Sequence, residues 1–398
     1  MKWTRKPLAE VAEFRLGKML DDNKNRGDLL PYLANVNVRW GELELDDLRE
    51  MRFEYDEMDR YGLRYGDIVM CEGGEPGRCA IWKEPVQGMM IQKALHRIRP
   101  HACLDHRFLF YSFLHKGKTG TFSSLFTGST IKHLPREKLA KVEIEFPQLE
   151  VQCRIADVLS AYDDMIENNR RRMALLEESA RLLYREWFVR LQFPGHEHTR
   201  IVDGIPEKWR KVMAYDAMHV MSGGTPKTMT PGFWDGEIPF YTPKDSVAEC
   251  YVLDTEKHLT EMGLSNCNSK LYPKDTIFIT ARGTVGNLNL AQCPMAMNQS
   301  CYALAGRDGI PQRFLFCALR EVIQHFQQHA VGAVFDAIIV DTFKLIPFVV
   351  PEKKVIALFD ETVEPAFQQT ENLLQQNQKL KAARDLLLPH LMSAEIAI

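Results

Sequence analysis

The sequence predicts an α+β protein built as a tandem repeat: a mixed α/β globular domain, a long helix, a second such domain and a second long helix. The two helices are expected to pair as an antiparallel coiled coil. Three observations predict this. Residues 148–191 follow Pro147 and contain no glycine or proline. Their seam positions Ile155, Leu159, Tyr162, Ile166, Asn169, Met173, Leu176, Ala180, Leu183 and Trp187 alternate spacings of four and three, the 3.5-residue period of a coiled coil. Adding 204 to each gives Phe359, Val363, Ala366, Thr370, Leu373, Asn377, Leu380, Arg384, Leu387 and Leu391, a second seam in a segment, 352–395, that follows Pro351. The duplication also extends outside the helices. RFLF stands at 107–110 and at 313–316, while Leu134, Leu139, Ile144 and Pro147 recur as Ile338, Phe343, Phe348 and Pro351. LRYGDIVMCEGGEPG (63–77) aligns with LYPKDTIFITARGTVG (271–286), and Gln92 with Gln299.

The chain therefore divides into a first domain (1–147), a first helix (148–191), a linker (192–204), a second domain (205–351) and a second helix (352–395). In the first domain, Tyr32–Val38, Asp67–Cys71, Cys79–Trp82 and Val142–Phe146 read as strands between glycine- and proline-bearing turns. Arg107–His115 has the pattern of a short amphipathic helix. GGEPG (73–77) lacks the Gly-Lys-Ser/Thr ending of a phosphate loop and reads as a turn. The linker QFPGHEHTRIVDG carries two histidines two residues apart, which is not a zinc-binding spacing. In the second domain, SGGTPKTMTPGFWDGEIPFYTPKD (222–245) is too rich in turn residues for a core helix. LYPKDTIFITARGTVG reads as a strand and a glycine-freed loop carrying Arg282.

With 45% hydrophobic and 26% charged residues, the composition is that of an ordinary globular protein. No apolar run is long enough to span a bilayer and the first residues show no signal-peptide core, so no membrane association and a cytoplasmic location are expected. Nine cysteines without a CxxC pair read as reduced thiols. The net charge of −3 is unusual for a free-standing nucleic-acid binder. Nine acids lie between Glu42 and Asp59, whereas 115–141 is basic, so any phosphate-binding face must be local.

At IPEKW (205–209), GGTP, FWDGEIPFYTPKD and ARGTVG, together with the repeated helices, the chain resembles the specificity (S) subunit of type I restriction–modification systems. The first domain carries only GKML (17–20) and YLANVNV (32–38) near the equivalent places. The resemblance implies two target-recognition domains, each reading one half of a bipartite site in double-stranded DNA. It implies that the helices act as spacer and docking platform for two methyltransferase (modification) subunits, with motor-nuclease (restriction) subunits joining them. It also implies no catalysis by this chain and no cofactor bound to it. S-adenosylmethionine, ATP and Mg²⁺ belong to the partner subunits of the adenine methyltransferase and endonuclease complex. The residues agree, since no phosphate loop, no Asn/Asp-Pro-Pro-aromatic methylation motif, no nuclease constellation and no metal-ligand set is legible. Two other readings stand beside it. One is a solitary DNA enzyme; the other is a coiled-coil adaptor whose end domains bind proteins, which the near-neutral charge would suit.

Candidate DNA contacts are cations in or beside glycine- and proline-rich loops: Arg78, Lys116, Lys118, Lys132 and His133 in the first domain, and Lys227, Lys244 and Arg282 in the second. Helices of some 44 residues would reach roughly 66 Å at 1.5 Å per residue, capping the half-site separation at roughly 20 base pairs. Aligned end to end, position i of the first helix faces position 546 − i of the second. Ile155 then meets Leu391, Ile166 meets Leu380, Leu183 meets Val363, Trp187 meets Phe359 and Asn169 meets Asn377. Arg384 falls opposite Tyr162, and Thr370 opposite Leu176. Leu175, Leu182, Val189, Leu374 and Leu388 lie off the seam, and are read as packing on the protein's own domains in preference to docking partners.

Overall fold

Short apolar runs broken by glycine and proline fold into small sheets in the computed structural model, which describes residues 3–21, 25–128, 132–330, 337–393 and 395. The chain forms two compact units, Met1–Ile166 with Gln378–Ile398, and Glu167–Asn377. The boundary falls inside both long helices. Each unit thus holds one globular domain, part of the first helix and part of the second, instead of the separate domain and helix segments expected from the sequence.

In the first unit, Thr4–Pro7 pairs antiparallel with Glu143–Phe146 just before the long helix begins. A four-stranded sheet is ordered Ala12–Leu16, Leu95–Pro100, Ile68–Cys71, Cys79–Ile81. A second sheet sets Asp28–Leu33 between Arg49–Phe53, antiparallel, and Met90–Ile91, parallel. The strand expected at Tyr32–Val38 ends early, because the chain turns into a 3-10 segment at Asn35–Asn37. The helix His106–Lys118 is N-capped by Asp105, whose carboxylate accepts from the backbone N–H groups of Arg107 (2.9 Å) and Phe108 (3.0 Å). It is not amphipathic, since Phe108 through Leu114 are all buried.

The second unit repeats this plan. Arg210–Met213 pairs with Pro347–Val350, and Met218–Ser222, Cys301–Gly306, Ile277–Thr280 and Leu288–Ala291 follow one another as the corresponding strands do in the first unit. Trp234–Tyr241 pairs antiparallel with His258–Leu259 and parallel with Ala296–Met297. Register is kept as well: Ala12 faces Pro100 and Met218 faces Gly306, both shifted by 206. One strand is new, Tyr251–Val252, which extends the second sheet by parallel pairing with Leu288–Ala291.

The first long helix is α-helical over Leu149–Tyr184 and ends in a π turn, Arg185–Val189. The uninterrupted α-helix expected to Leu191 therefore stops short. Two adjacent bulky rings, Trp187 and Phe188, cannot both lie on one helical stripe, and the wider turn brings both inward. Each packs on Phe359, with ring centroids 5.8 Å and 5.1 Å away. The second helix runs Lys353–Met392.

Within the first unit, Ile155, Leu159, Leu388 and Leu391 share a core with Leu8, Phe108 and Ile144. Within the second, Leu183 packs against the core that holds Trp187, Phe359 and Val363, together with Trp209, Ile277 and Phe314. The helices are thus part of each domain's core, and their pairing is antiparallel within each unit. Ile166, Met173, Leu373 and Leu391 are buried, while Tyr162, Leu176, Leu380 and Leu387 are only partly so.

Polar seam positions are bonded. The Asn169 amide donates to Asn377 Oδ1 at 2.9 Å and to Gln376 Oε1 at 3.1 Å. Thr370 donates its hydroxyl proton to the Ala366 carbonyl at 2.9 Å, which satisfies it without a partner across the seam. Arg384 departs from the expected alignment. Its guanidinium bonds Asp163, one residue beyond Tyr162, and reaches Asp385 at 2.8 Å. A carboxylate one position away outcompetes a phenol ring for a cation that is nearly buried. Off the seam, Leu388 is buried and Leu374 partly so, but Leu175, Leu182 and Val189 are exposed. These three do not pack on the protein's own domains as the sequence reading favoured.

Asn169→Leu leaves Asn377 Oδ1 without its donor and is expected to cost about 1–3 kcal/mol; Asn377→Leu is expected to cost less, because the Asn169 amide keeps Gln376. The double variant is expected to recover most of that loss. Denaturant unfolding of the four proteins measures the coupling, and strictly additive losses would contradict it.

Candidate nucleic-acid interface

In each domain the strand ends bring the glycine-rich segments to one place. In the second domain, Ser222 faces Tyr302, Thr280 faces Cys301 and Tyr241 faces Met297. The loops that leave these ends, 223–233, 281–287, 242–249 and 298–300, therefore start side by side. Backbone crowding explains the first pair of glycines. A Cβ on Gly223 would lie 2.3 Å from the Asn298 carbonyl oxygen, and one on Gly224 2.8 Å from the Asn268 backbone nitrogen. The Thr225 hydroxyl donates to Gln299 Oε1 at 2.5 Å.

The ARGTVG loop closes on itself. Thr280 Oγ1 bonds the Thr284 carbonyl and accepts from the Asn287 N–H at 3.0 Å. Gly283 and Gly286 have φ of +82° and +93°, the left-handed region that glycine enters freely. Lys227, Lys244 and Arg282 are exposed on these loops, and among the described residues none has an ion-pair partner.

The first domain has the same layout with different contents. Leu16 faces His96, Cys71 faces Leu95 and Tyr32 faces Met90. A Cβ on Gly17 would lie 2.4 Å from the Gln92 carbonyl oxygen. Gly17 thus meets Gln92 as Gly223 meets Asn298, so the equivalence of Gln92 with Gln299 shifts by one and Lys93 becomes the counterpart of Gln299. Lys93 is exposed at this end and went unnoticed in the sequence; the 206 offset, had it been applied there, would have found it. Lys18 is also here but points inward. It is 4% exposed, donates to the Arg52 carbonyl at 2.9 Å and pairs with Glu57.

The five first-domain cations separate. Lys132 is exposed. His133 sits beside the GGEPG turn, its Nδ1 3.2 Å from Glu72 Oε2. Arg78 is a structural residue: its guanidinium donates to the Asn35 carbonyl at 3.0 Å, pairs with Glu75 at 3.0 Å, and is only 11% exposed. It fastens the turn to the segment after Leu33 and is not free for phosphate. Lys118 pairs with Asp385 on the second long helix. Asp385 also holds Arg384, and the Tyr111 hydroxyl donates to Asp163 at 2.6 Å. Lys118 therefore belongs to a network joining the domain helix to both long helices. Lys116 is half-buried, and burial lowers its pKa, with Glu145, Arg5 and Glu143 as its charged neighbours. It stands by the Thr4–Pro7 ribbon, away from the loop cluster.

The family model of the type I restriction modification DNA specificity domain matches this chain twice, over residues 1–178 and 206–381. The chain belongs to that family. The specificity subunit of the type I restriction enzyme MjaIX from Methanocaldococcus jannaschii is 25% identical over 341 residues, 84% of this chain and 78% of the relative. That of HindI from Haemophilus influenzae is 20% identical over 463 residues, 98% of this chain and 100% of the relative. The crystal structure of a type I restriction–modification S subunit from M. genitalium aligns over 98% of this chain and 96% of its own, with a TM-score of 0.53 and 18% identity. That likeness speaks for the fold. Among the described residues, no helix is long and apolar enough to cross a membrane.

Neutralising Lys227, Lys244, Arg282 or Lys132 is expected to weaken binding to all duplexes alike and to lower the salt slope by about one each. Arg78→Ala and Lys118→Ala are expected to lower thermal stability and leave the slope unchanged. Binding titrations between about 50 and 200 mM salt, with melting curves, separate the two groups.

His96 gives a pH effect. Its Nε2 bonds the Leu134 carbonyl at 2.9 Å, its Nδ1 is buried without a partner, and burial lowers its pKa. The neutral ring is the form that fits. Its stabilising effect is complete above the unfolded value near ~6.5 and is lost as pH falls from there towards the depressed folded value. Unfolding followed from about pH 7.5 to 5 should show falling stability, and His96→Gln should flatten that trend.

Proposed function

We propose that this chain is the DNA-sequence-recognition subunit of a type I restriction–modification complex, each domain reading one half of a bipartite duplex site. The observation that carries the reading is the repeated scaffold. Two domains with the same strand order and register end in the same cluster of loops, and those loops differ in their exposed side chains. Lys227, Lys244 and Arg282 in one domain, and Lys132, His133 and Lys93 in the other, would supply phosphate contacts that fix orientation. Base discrimination would come from neighbouring loop groups.

The long helices would set the separation of the half-sites and receive two methyltransferase subunits. Leu175, Leu182 and Val189, seven residues apart and exposed along the first helix, are suited to that docking, since an uncovered apolar line marks a protein contact. S-adenosylmethionine would be held by the methyltransferase subunits, and ATP with Mg²⁺ by motor-nuclease subunits. This chain would supply address and spacing.

The test is a comparison of genomic adenine methylation in cells with and without the gene, its methyltransferase partner being kept in both. Loss of methylation at one split motif, two short defined halves around an unspecified spacer, is the expected result. If no split motif depends on the gene, and purified chain binds duplexes with no salt response, the DNA reading fails and the protein-binding adaptor replaces it.

A further inference from the structure

Asn289 lies in the middle of the strand Leu288–Ala291 and is 0% exposed. Three of its amide's four contacts go to one segment and the fourth to the strand residue just before it. Its Oδ1 accepts from the Tyr241 hydroxyl at 2.9 Å and from Ser246 Oγ at 3.0 Å. Its Nδ2 donates to the carbonyls of Val247 at 3.0 Å and Glu249 at 2.8 Å. The segment 242–249 is thus tied from beneath at three of its residues, and at Tyr241 just before it.

The segment is also closed from its own side. The Thr242 N–H donates to Asp245 Oδ2 at 2.8 Å, and the Glu256 N–H donates to Asp245 Oδ1 at 2.7 Å. It abuts the ARGTVG loop, since a Cβ on Gly283 would stand 4.0 Å from Pro243 Cβ. It turns Lys244 and Val247 outward, both exposed.

The other domain has no such amide at this root, where Arg78 ties the segment after Leu33 instead. Asn289 faces Phe278, and its counterpart Ala80 faces Val69, so a methyl group stands where the amide is. The segment after Leu33 takes another path there, through a 3-10 turn and the hairpin of Val38–Arg39 with Glu42–Leu43. On an otherwise shared scaffold, the two domains differ here in backbone course beside the loop cluster.

We infer that the segment 242–249 gives the second domain its own base preference, and that Asn289 is the positioning residue that holds it in place. The inference rests on the DNA-reading function proposed above. Its physical basis is that base edges are told apart by groups held in a fixed geometry, whereas phosphate contacts tolerate movement. A buried amide is costly unless its bonds are made. Here three of the four are made to a loop that would otherwise have to be ordered on binding, at a loss of affinity and discrimination, and the fourth to Tyr241 at its root.

The test uses the full chain, purified with its methyltransferase partner, and a pool of duplexes randomised over about 40 base pairs, long enough to span the ~20-base-pair limit. Wild type is expected to select two half-motifs. Asn289→Leu is expected to retain one half-motif and to lose about tenfold or more in discrimination at one or more positions of the other. Its salt slope should stay unchanged, because Lys244 keeps its charge. Ser246→Ala should produce a smaller loss in the same half. Two unchanged half-motifs in Asn289→Leu, or two halves weakened in equal proportion as general destabilisation would give, overturn the inference. Should Asn289→Leu not fold, Asn289→Asp and Ser246→Ala decide: a change confined to one half supports the inference, and no such change overturns it. A wild-type chain that selects no motif fails the underlying reading, and the inference with it.

Discussion

Two long helices with a heptad repeat can slide past each other by a heptad and still bury leucine against leucine. Everything the repeated domains could do together depends on preventing that. The constraint comes from polar groups in the seam. The Asn169 amide donates to Asn377 Oδ1 in the second unit, and Arg384 is held between Asp163 and Asp385 in the first. The contacts of Asn169 with Asn377 and of Arg384 with Asp163 exist in one alignment only, and a slip would remove both. Such groups stabilise less than leucine would, but they penalise every competing register. Around them the seam dissolves into the domain cores, so that Phe359 and Trp187 belong as much to the second domain as to the helix pair.

Much of this was legible in the sequence, for identifiable reasons. A period held over many heptads, and an offset shared by two segments, are long-range signals that local irregularity does not erase. The pairings of Asn169 with Asn377 and of Trp187 with Phe359 follow from a single alignment rule. What was not legible depended on short distances. No pattern reveals that Arg384 prefers a carboxylate one residue past the tyrosine, or that two adjacent aromatics convert the end of a helix into a π turn. The interface shows the same division. Glycine-rich motifs marked the loops well, because close backbone approach leaves glycine as the residue that fits. Charge marked them poorly, because a cation looks the same in sequence whether it faces solvent, as Lys244 does, or is consumed internally, as Arg78, Lys18 and Lys118 are.

The charge balance also becomes intelligible. A chain with a net charge of −3 has little long-range attraction for a polyanion, so its electrostatics must be concentrated. Acidic side chains are used largely to tie the scaffold together, as Asp67 does with Arg99 at 2.7 Å and Asp360 with Arg313 at 2.7 Å. Lys227, Lys244 and Arg282 are left exposed on the loops. A weak general field with a few well-placed charges favours discrimination over indiscriminate adhesion, since non-specific binding is the part that scales with phosphate contacts.

The composition of the two units has a consequence for biogenesis. The second unit is one continuous stretch, Glu167–Asn377, whereas the first is made of Met1–Ile166 and Gln378–Ile398. On the ribosome, the second unit has all its residues first. The first domain emerges earlier but waits with an open core, because Leu388 and Leu391, which complete it, are synthesised only after the entire second unit. The order in which the units are completed is thus inverted relative to the order in which they begin, and the contacts that close the first unit join residues far apart in sequence, the kind that form slowly. During that wait the first domain's apolar surface is open to chaperones and to premature association. A nascent chain released before those last residues are added leaves the first domain, not the second, unfinished.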